Sequence, residues 1–351
     1  MSFASSHALS NLGWNDRLTD SFTDHATAGL VPARVAAVDR GRCDLLTADG
    51  PVNAATGAGL APCTGDWAAL RPGDDPAIVA LLPRATAIVR ASADRTSHGQ
   101  VLAANVDTVA VTVSLETAVD LGRVERMLAL AWESGARPVV VLTKADRSPD
   151  PDGDAAEVGR AAPGVDVLTV NSLDGTGLDA VAAALTGTVV LLGTSGAGKS
   201  TLGNALLGAD RLAVGAVRAV DGKGRHTTVR RELVPLPDGG VLIDTPGLRA
   251  VGLFDAAGGL AAAFADIEEL AGHCRFHDCA HDAEPGCAVQ AAVTDGDLPE
   301  RRLASYRKLE RENAWAARRG DARLRAEHER RWKTIAKAQR RMYSDRDTWG
   351  R

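Results

Sequence analysis

The chain has 351 residues, 45% of them hydrophobic and 24% charged, with a formal net charge of −5. That composition is the one expected of a globular protein with two or three domains, each large enough to bury its own core. It argues against a membrane-spanning protein, because no run approaches the roughly 20 apolar residues needed to cross a bilayer, and against a secretory leader, because the first residues lack a basic start and an apolar core.

A cytoplasmic location with no membrane partner is therefore expected. Charge is unevenly spread: residues 301–351 hold 17 Lys/Arg against 7 Asp/Glu, and the remainder hold 23 against 38. A basic end on an acidic body suits a polyanionic partner such as nucleic acid, and a solvated helical face is the plainer alternative. Three of the five cysteines fall between residues 274 and 287. That clustering, with an odd total, predicts a metal site in a reducing compartment rather than a disulfide framework.

Residues 1–28 are polar and aperiodic and read as a mobile tail. Residues 29–88 contain short β-like runs (VPARVAAV, DWAAL, AIVALLP) broken by Gly, Pro and Asp clusters. Such runs predict a small barrel, of a size that suits the five-stranded oligonucleotide-binding (OB) fold. A polar, basic connector follows, and over residues 99–254 strands alternate with helices. DTVAVTVSL, RPVVVLTKAD, VDVLTVNS, TVVLLG and VLIDTPG read as strands, and LGRVERMLALAWESG places Leu121, Val124, Met127, Leu128 and Ala131 at helical spacing. This pattern predicts an α/β domain with a parallel sheet and crossover helices. Residues 255–351 are mainly helical, are interrupted by the cysteine cluster and end in a basic helical region.

The sharpest motif begins at Gly193 and runs GTSGAGKS to Ser200, followed by Thr201. It fits G-x-x-x-x-G-K-S/T between a strand and a helix, the context that a phosphate-binding loop requires. Glycines let backbone N–H groups wrap a phosphate, and the helix N-terminus adds its positive dipole end. Gly193, Thr194, Ser195, Gly196, Ala197, Gly198, Lys199, Ser200 and Thr201 are thus expected to bind nucleotide. Lys199 would reach the β- and γ-phosphates, and the Ser200 hydroxyl would bind Mg²⁺. Asp244 opens DTPG at a strand end, where an Asp supports Mg²⁺ and the Gly247 backbone contacts the γ-phosphate. Between the two motifs lies GKGRHTTVRREL, in which Thr227 or Thr228 would close over Mg²⁺.

Base choice is read from Thr143, Lys144, Ala145 and Asp146, the TKAD at the end of RPVVVL. The Asp146 carboxylate would accept hydrogen bonds from guanine's ring N–H and its exocyclic amine, donors that adenine does not offer. Lys144 would lie over the base plane. The usual form of this motif begins with Asn, so Thr143 is a departure. Asn171 and Ser172 fall where a backbone amide contacts the guanine oxygen in related proteins.

In ordinary GTPases the phosphate loop precedes the base motif; here TKAD and VNS come first. With GDWAAL, LLPRAT, AANVD, GKGRHTT, CRFHDCAHDAEPGCAV and ERRLASYRKLERE, this order resembles the small-subunit-dependent GTPase A family (RsgA/YjeQ). These are circularly permuted GTPases that assist small ribosomal subunit assembly. The resemblance spans about residue 30 to the end. It implies GTP and GDP as ligands, a monomeric protein, and rRNA contacts from both the barrel and the C-terminal domain. A regulatory GTPase whose flanking domains bind proteins, or an RNA-binding scaffold holding nucleotide structurally, are the alternatives.

Cys274, Cys279, His281 and Cys287 form Cys-x4-Cys-x-His-x5-Cys, a donor set suited to one closed, structural Zn²⁺. His273 and His277 are alternative ligands; the resemblance favours His281. The basic C-terminal helix would contact phosphates with strongly salt-dependent binding. Trp315, Trp332, Tyr306 and Tyr343 would pack at helical spacing or, less commonly, stack on bases. Leu248 follows Gly247 where many GTPases place a water-orienting Gln, so slow intrinsic hydrolysis, stimulated by the small subunit, is expected. Lys199 and His226 are the expected catalytic residues, His226 by positioning water.

Overall fold

The computed structural model describes residues 3–90, 100–212, 231–244 and 256–320. Within the described residues, the expectations at His226, Thr227, Thr228, Gly247, Leu248, Trp332 and Tyr343 are not represented.

The first 28 residues correct the expectation of a mobile tail. They contain two helices, α1 (Phe3–Ser10) and α2 (Asp16–Thr27). Asn15 caps α2 by accepting from the Leu18 amide, a favoured use of Asn at this position. Leu18 and Phe22, four residues apart, share one face of α2 and are buried with Leu9, Leu12 and Trp14. Trp14 meets Trp67 and Phe22 edge-on, at ring-centroid distances of 4.8 and 5.6 Å. The apolar stripe is only two turns long and is diluted by Asp and Thr, which is why periodicity alone did not reveal it.

Five strands follow: β1 (Val31–Asp39), β2 (Arg42–Thr47), β3 (Gly50–Thr56), β4 (Trp67–Arg71) and β5 (Ala77–Leu81). They close into a barrel in the order β1-β2-β3-β5-β4, with β3 and β5 parallel and the other pairs antiparallel. Ala33, Val35, Cys43, Leu45, Ala54, Ala68, Leu70 and Ile78 fill its interior. Small residues in these positions suit the tight radius of a five-stranded closure. A two-stranded ribbon of β6 (Ala87–Arg90) and β7 (Gln100–Ala104) follows, and Ala104 donates to the Thr64 carbonyl in the turn before β4.

The second domain is built on a six-stranded sheet. Its strands are β8 (Thr108–Ser114), β9 (Arg137–Thr143), β10 (Asp166–Val170), β11 (Thr188–Leu192), β12 (Glu232–Pro235) and β13 (Val241–Asp244), in the order β10-β9-β8-β11-β13-β12. All neighbours are parallel except β12 with β13. The central strands are Val- and Leu-rich because helices cover both faces. Those helices are α3 (Leu121–Glu133), α4 (Pro151–Ala161), α5 (Leu178–Ala184) and α6 (Lys199–Leu207).

The join that permutes the chain lies between α5 and β11. Gly187 adopts a left-handed φ of 73°, and a Cβ there would sit 2.5 Å from the Asp107 carboxylate. Asp107 accepts from the Thr188 amide at 2.7 Å, so a tight turn feeds the chain directly into the centre of the sheet.

The barrel is fastened to this sheet by a buried arginine and a tight turn. Arg34, on β1, donates to the Leu12 and Asn105 carbonyls and to the Thr188 hydroxyl. Burial lowers its pKa to about 10, opposed by the charges of Asp107 and Asp66. In the Thr64–Trp67 turn, Asn105 donates to the Gly65 carbonyl, and Arg84 grips Asp66 with two hydrogen bonds of 2.6 and 2.7 Å.

Helices α7 (Ala257–Ala263), α8 (Ala265–Ala271), α9 (Ala288–Asp295) and α10 (Glu300–Gly320) complete the described chain. Arg302 of α10 is buried and reaches Glu125 on α3, Asp266 on α8, and the Ala161 and Ala263 carbonyls. Its guanidinium also lies 4.7 Å from the Phe264 ring centre. Tyr306 is a packing residue: it meets Phe264 edge-on and donates to Glu268. Trp315 on the same helix is 59% exposed.

Candidate GTP-binding and zinc sites

Because β8, β9, β10, β11 and β13 run parallel, their C-terminal ends share one edge of the sheet, the edge at which open α/β sheets bind ligands. Strand β11 delivers Gly193 to that edge, β9 delivers Thr143, β10 leads into Asn171, and β13 ends on Asp244. Motifs lying in one order along the chain are thus brought side by side.

The phosphate loop turns where sterics demand glycine. A Cβ on Gly193 would lie 2.4 Å from the Thr112 carbonyl oxygen, and Gly196 and Gly198 have φ of 81° and 78°. Gly198 caps α6, whose first turn carries Lys199, Ser200 and Thr201. Free N–H groups at such a helix start are an anion site. The Lys199 ammonium donates to the Gly193 and Thr194 carbonyls at 2.8 and 2.6 Å, arching back over the loop. Thr194 is half-buried, Ala197 is buried, and Ser195 and Gly196 form the exposed tip. Burial pushes the Asp244 carboxyl above its ordinary range; the nearby Lys199 charge opposes this and Glu232 adds to it. The Ser200 hydroxyl and the Asp244 carboxylate are hard oxygen donors beside the phosphate loop, the type that Mg²⁺ prefers.

The base loop is tied to the phosphate loop through position 143. The Thr143 hydroxyl lies 2.9 Å from the Ala197 carbonyl and 3.2 Å from that of Val113. Lys144 has a left-handed φ of 56° and opens a 3₁₀ turn, Ala145–Arg147, that carries Asp146. Its ammonium pairs with Glu116, whose carboxyl this contact holds below its ordinary range. Asp146 is partly exposed beside Arg147, 3.3 Å away. Asn171 uses its side-chain amide to close its own loop, donating to Asp174 and accepting from the Leu173 amide. The neighbouring Ser172 hydroxyl is buried. Glu116 carried no signal in the sequence, being one acid in an unpatterned loop.

In the C-terminal domain, the donor atoms of Cys274, Cys279, His281 and Cys287 lie within 4.8 Å of one another. Cys274 Sγ is 3.9 Å from Cys287 Sγ and 3.6 Å from His281 Nδ1, which in turn is 3.5 Å from Cys287 Sγ. A tetrahedral zinc with ordinary Zn–S and Zn–N bonds implies edges of about 3.8 and about 3.6 Å, so the donors fit that ion. His281 takes a left-handed φ of 58°. The loop is held by Glu284, which accepts from the Ala280, Asp282 and Ala283 amides, while Gln290 and Arg307 donate to the His281 carbonyl. His273 and His277 are not part of the cluster. Glu284 and Arg307 escaped sequence reasoning because the contacts by which they hold the loop are to main-chain groups.

A sheet that gathers phosphate loop, base loop and acidic strand end on one edge, with the phosphate-loop strand after the base strands in the chain, defines a circularly permuted P-loop GTPase. The profile described as RsgA GTPase matches residues 81–254. The chain is 57% identical to the small ribosomal subunit biogenesis GTPase RsgA of Streptomyces coelicolor, over 95% of each sequence. It is 46% identical to the protein of that name from Opitutus terrae, over 95% of this chain and 97% of the relative. The structure of YjeQ from Thermotoga maritima aligns with a TM-score of 0.62 at 22% identity, covering 80% of this chain and 97% of that one. YloQ, described as a circularly permuted GTPase, aligns with a TM-score of 0.60 at 22% identity, covering 81% and 94%. The chain belongs to the RsgA GTPase family.

Proposed function

We propose that the chain binds GTP at the C-terminal edge of the sheet and hydrolyses it to GDP and phosphate during biogenesis of the small ribosomal subunit. The observation that carries this reading is the convergence of β9, β10, β11 and β13, which brings TKAD, Asn171–Ser172, the phosphate loop and Asp244 together despite their rearranged order.

In this reading the residues from Gly193 to Thr201 hold the phosphates. Ser200 and Asp244, with Thr227 or Thr228, would hold Mg²⁺, which supplies charge neutralisation at the transferring phosphoryl group. Gly247 contacts the γ-phosphate through its backbone. Asp146 reads guanine, Lys144 lies along the base, and the Ser172 amide meets the guanine oxygen. Lys199 stabilises the charge that develops during transfer, and His226 positions the attacking water. The zinc cluster is structural: it fixes a segment with few apolar contacts of its own. The barrel, the zinc domain and the basic C-terminal region contact rRNA, and the protein acts in the cytoplasm as a monomer. Among the described residues no helix is long and apolar enough to cross a membrane.

The test is GTP hydrolysis by the purified protein with and without small ribosomal subunits, with ATP as control. Strong stimulation confined to GTP supports the reading. Slow GTP turnover indifferent to the subunit would remove the ribosomal role and leave the GTPase. His226→Ala should abolish stimulated turnover while sparing GTP binding; unchanged turnover would remove His226 from the mechanism.

A further inference from the structure

We propose that Thr143 is a positioning residue: it fastens the guanine loop to the phosphate loop and donates no hydrogen bond to the base. The inference rests on reading TKAD as the guanine loop.

The Thr143 side chain is buried, and its hydroxyl lies between two carbonyl oxygens, Ala197 at 2.9 Å and Val113 at 3.2 Å. Both neighbours accept and neither donates, whereas a hydroxyl carries one proton. That proton is therefore committed to main chain, whichever carbonyl takes it. Lone pairs remain, and they cannot serve the purine's N7, which is itself an acceptor. An asparagine at this position would bring two amide protons, enough to hold a carbonyl and still donate elsewhere.

The close approach of the two loops is built in from the other side as well. A Cβ on Gly198 would sit 3.1 Å from the Thr143 hydroxyl and 3.3 Å from its Cβ, so a residue with a side chain at 198 would press the loops apart. Leu115 donates from its backbone to the Thr143 carbonyl, which holds the same residue to the loop after β8. Thr143 is thus the point where base loop, phosphate loop and β8 meet. Shifting it moves the phosphate-binding backbone relative to Asp146.

The experiment is calorimetric titration of GDP, GTP, ATP and 7-deaza-GDP, the last lacking the N7 acceptor, into wild type, Thr143→Val and Thr143→Ser, far below the unfolding temperature. Thr143→Val keeps the shape and leaves the Ala197 carbonyl without its donor. It should weaken GDP and GTP alike by about five- to tenfold, the range of one lost buried hydrogen bond. Thr143→Ser should restore affinity to within about twofold of wild type, since it returns the same donor. The ratio of GDP to 7-deaza-GDP affinity should be the same in wild type and Thr143→Val. A ratio that changes in Thr143→Val would mean that the hydroxyl touches the base, and unchanged GDP affinity would mean that the tie positions nothing. Failure of the guanine reading would show separately, as wild type that does not prefer GTP to ATP.

Discussion

The guanidinium of Arg34, on the first barrel strand, donates to the hydroxyl of Thr188, on the strand that leads to the phosphate loop, at 3.0 Å. These residues are 154 positions apart, yet this bond joins the barrel to the centre of the nucleotide-binding sheet. The same side chain donates to the Leu12 carbonyl, so the N-terminal segment is held at the same point. A lysine has one compact ammonium in place of a planar fork and would not reach all three acceptors. Arg34→Lys should lower unfolding free energy by about 2–3 kcal/mol, through carbonyl and hydroxyl groups left unpaired in the interior. Urea denaturation followed by tryptophan fluorescence is the measurement, because the Trp67 ring centre lies 5.0 Å from the Arg34 guanidinium carbon and Trp14 packs against Trp67. Unchanged stability would remove Arg34 as the fastening.

Asp146 offers a specificity test of the base site. Guanine presents two donors to a carboxylate; xanthine presents a carbonyl in place of the exocyclic amine and so matches an amide. Asp146→Asn should lower GTP affinity by about two orders of magnitude or more and raise affinity for XTP. Competition between the two nucleotides measures it. Retained GTP preference would place base recognition elsewhere.

Much of this site was legible in the sequence because its motifs are local. Strand, glycine turn and helix follow one another around Gly193 to Ser200, so phosphate-loop sterics appear in consecutive residues. The candidate metal donors lie within 14 residues, from Cys274 to Cys287, so the three cysteines stand out by spacing, while the choice of His281 over His273 and His277 comes from the family resemblance. The alternation of strands and helices over 99–254 likewise gave a parallel sheet. What was not legible depends on partners distant in sequence. Glu125 lies on the buried face of α3, and the arginines that pair with it there, Arg301 and Arg302, lie 176 and 177 residues later. The N-terminal helices were missed for a related reason: Leu18 and Phe22 are a short stripe whose burial depends on Trp67 in the barrel.

That Glu125–Arg302 pair yields a stability prediction. Both side chains are almost wholly buried, at 0% and 2% exposure, and they join α3 of the nucleotide domain to α10. Removing Arg302 leaves Glu125 only the half-exposed Arg301, 3.0 Å away, and takes the guanidinium from Asp266, so Arg302→Met should cost about 3 kcal/mol. The double substitution Arg302→Met with Glu125→Leu should recover part of that loss, because it removes the fully buried carboxylate and leaves without their partners only Arg301 and Asp266, which water reaches. Equal destabilisation by single and double variants would show that shape, rather than charge pairing, sets the stability here.

The metal role of the Cys274–Cys287 cluster can be separated from the local fold through Cys287, which stands in two arrangements. Its sulfur completes the metal-binding set, and it caps α9 by accepting from the Gln290 amide at 3.4 Å. Serine is a good helix cap but a poor zinc ligand, whereas alanine is neither. Purified wild type should carry one zinc per chain, measured by elemental analysis. Cys287→Ser and Cys287→Ala should both lose the metal, and Cys287→Ala should be less stable than Cys287→Ser by about 1 kcal/mol for the missing cap. His281→Ala should also lose the metal while His277→Ala keeps it, since only His281 lies in the cluster. Zinc release should accelerate as pH falls, because protons compete for the thiolates and the imidazole. Full zinc content in Cys287→Ser would overturn the ligand set, while loss of zinc from His277→Ala would transfer the fourth position to that residue.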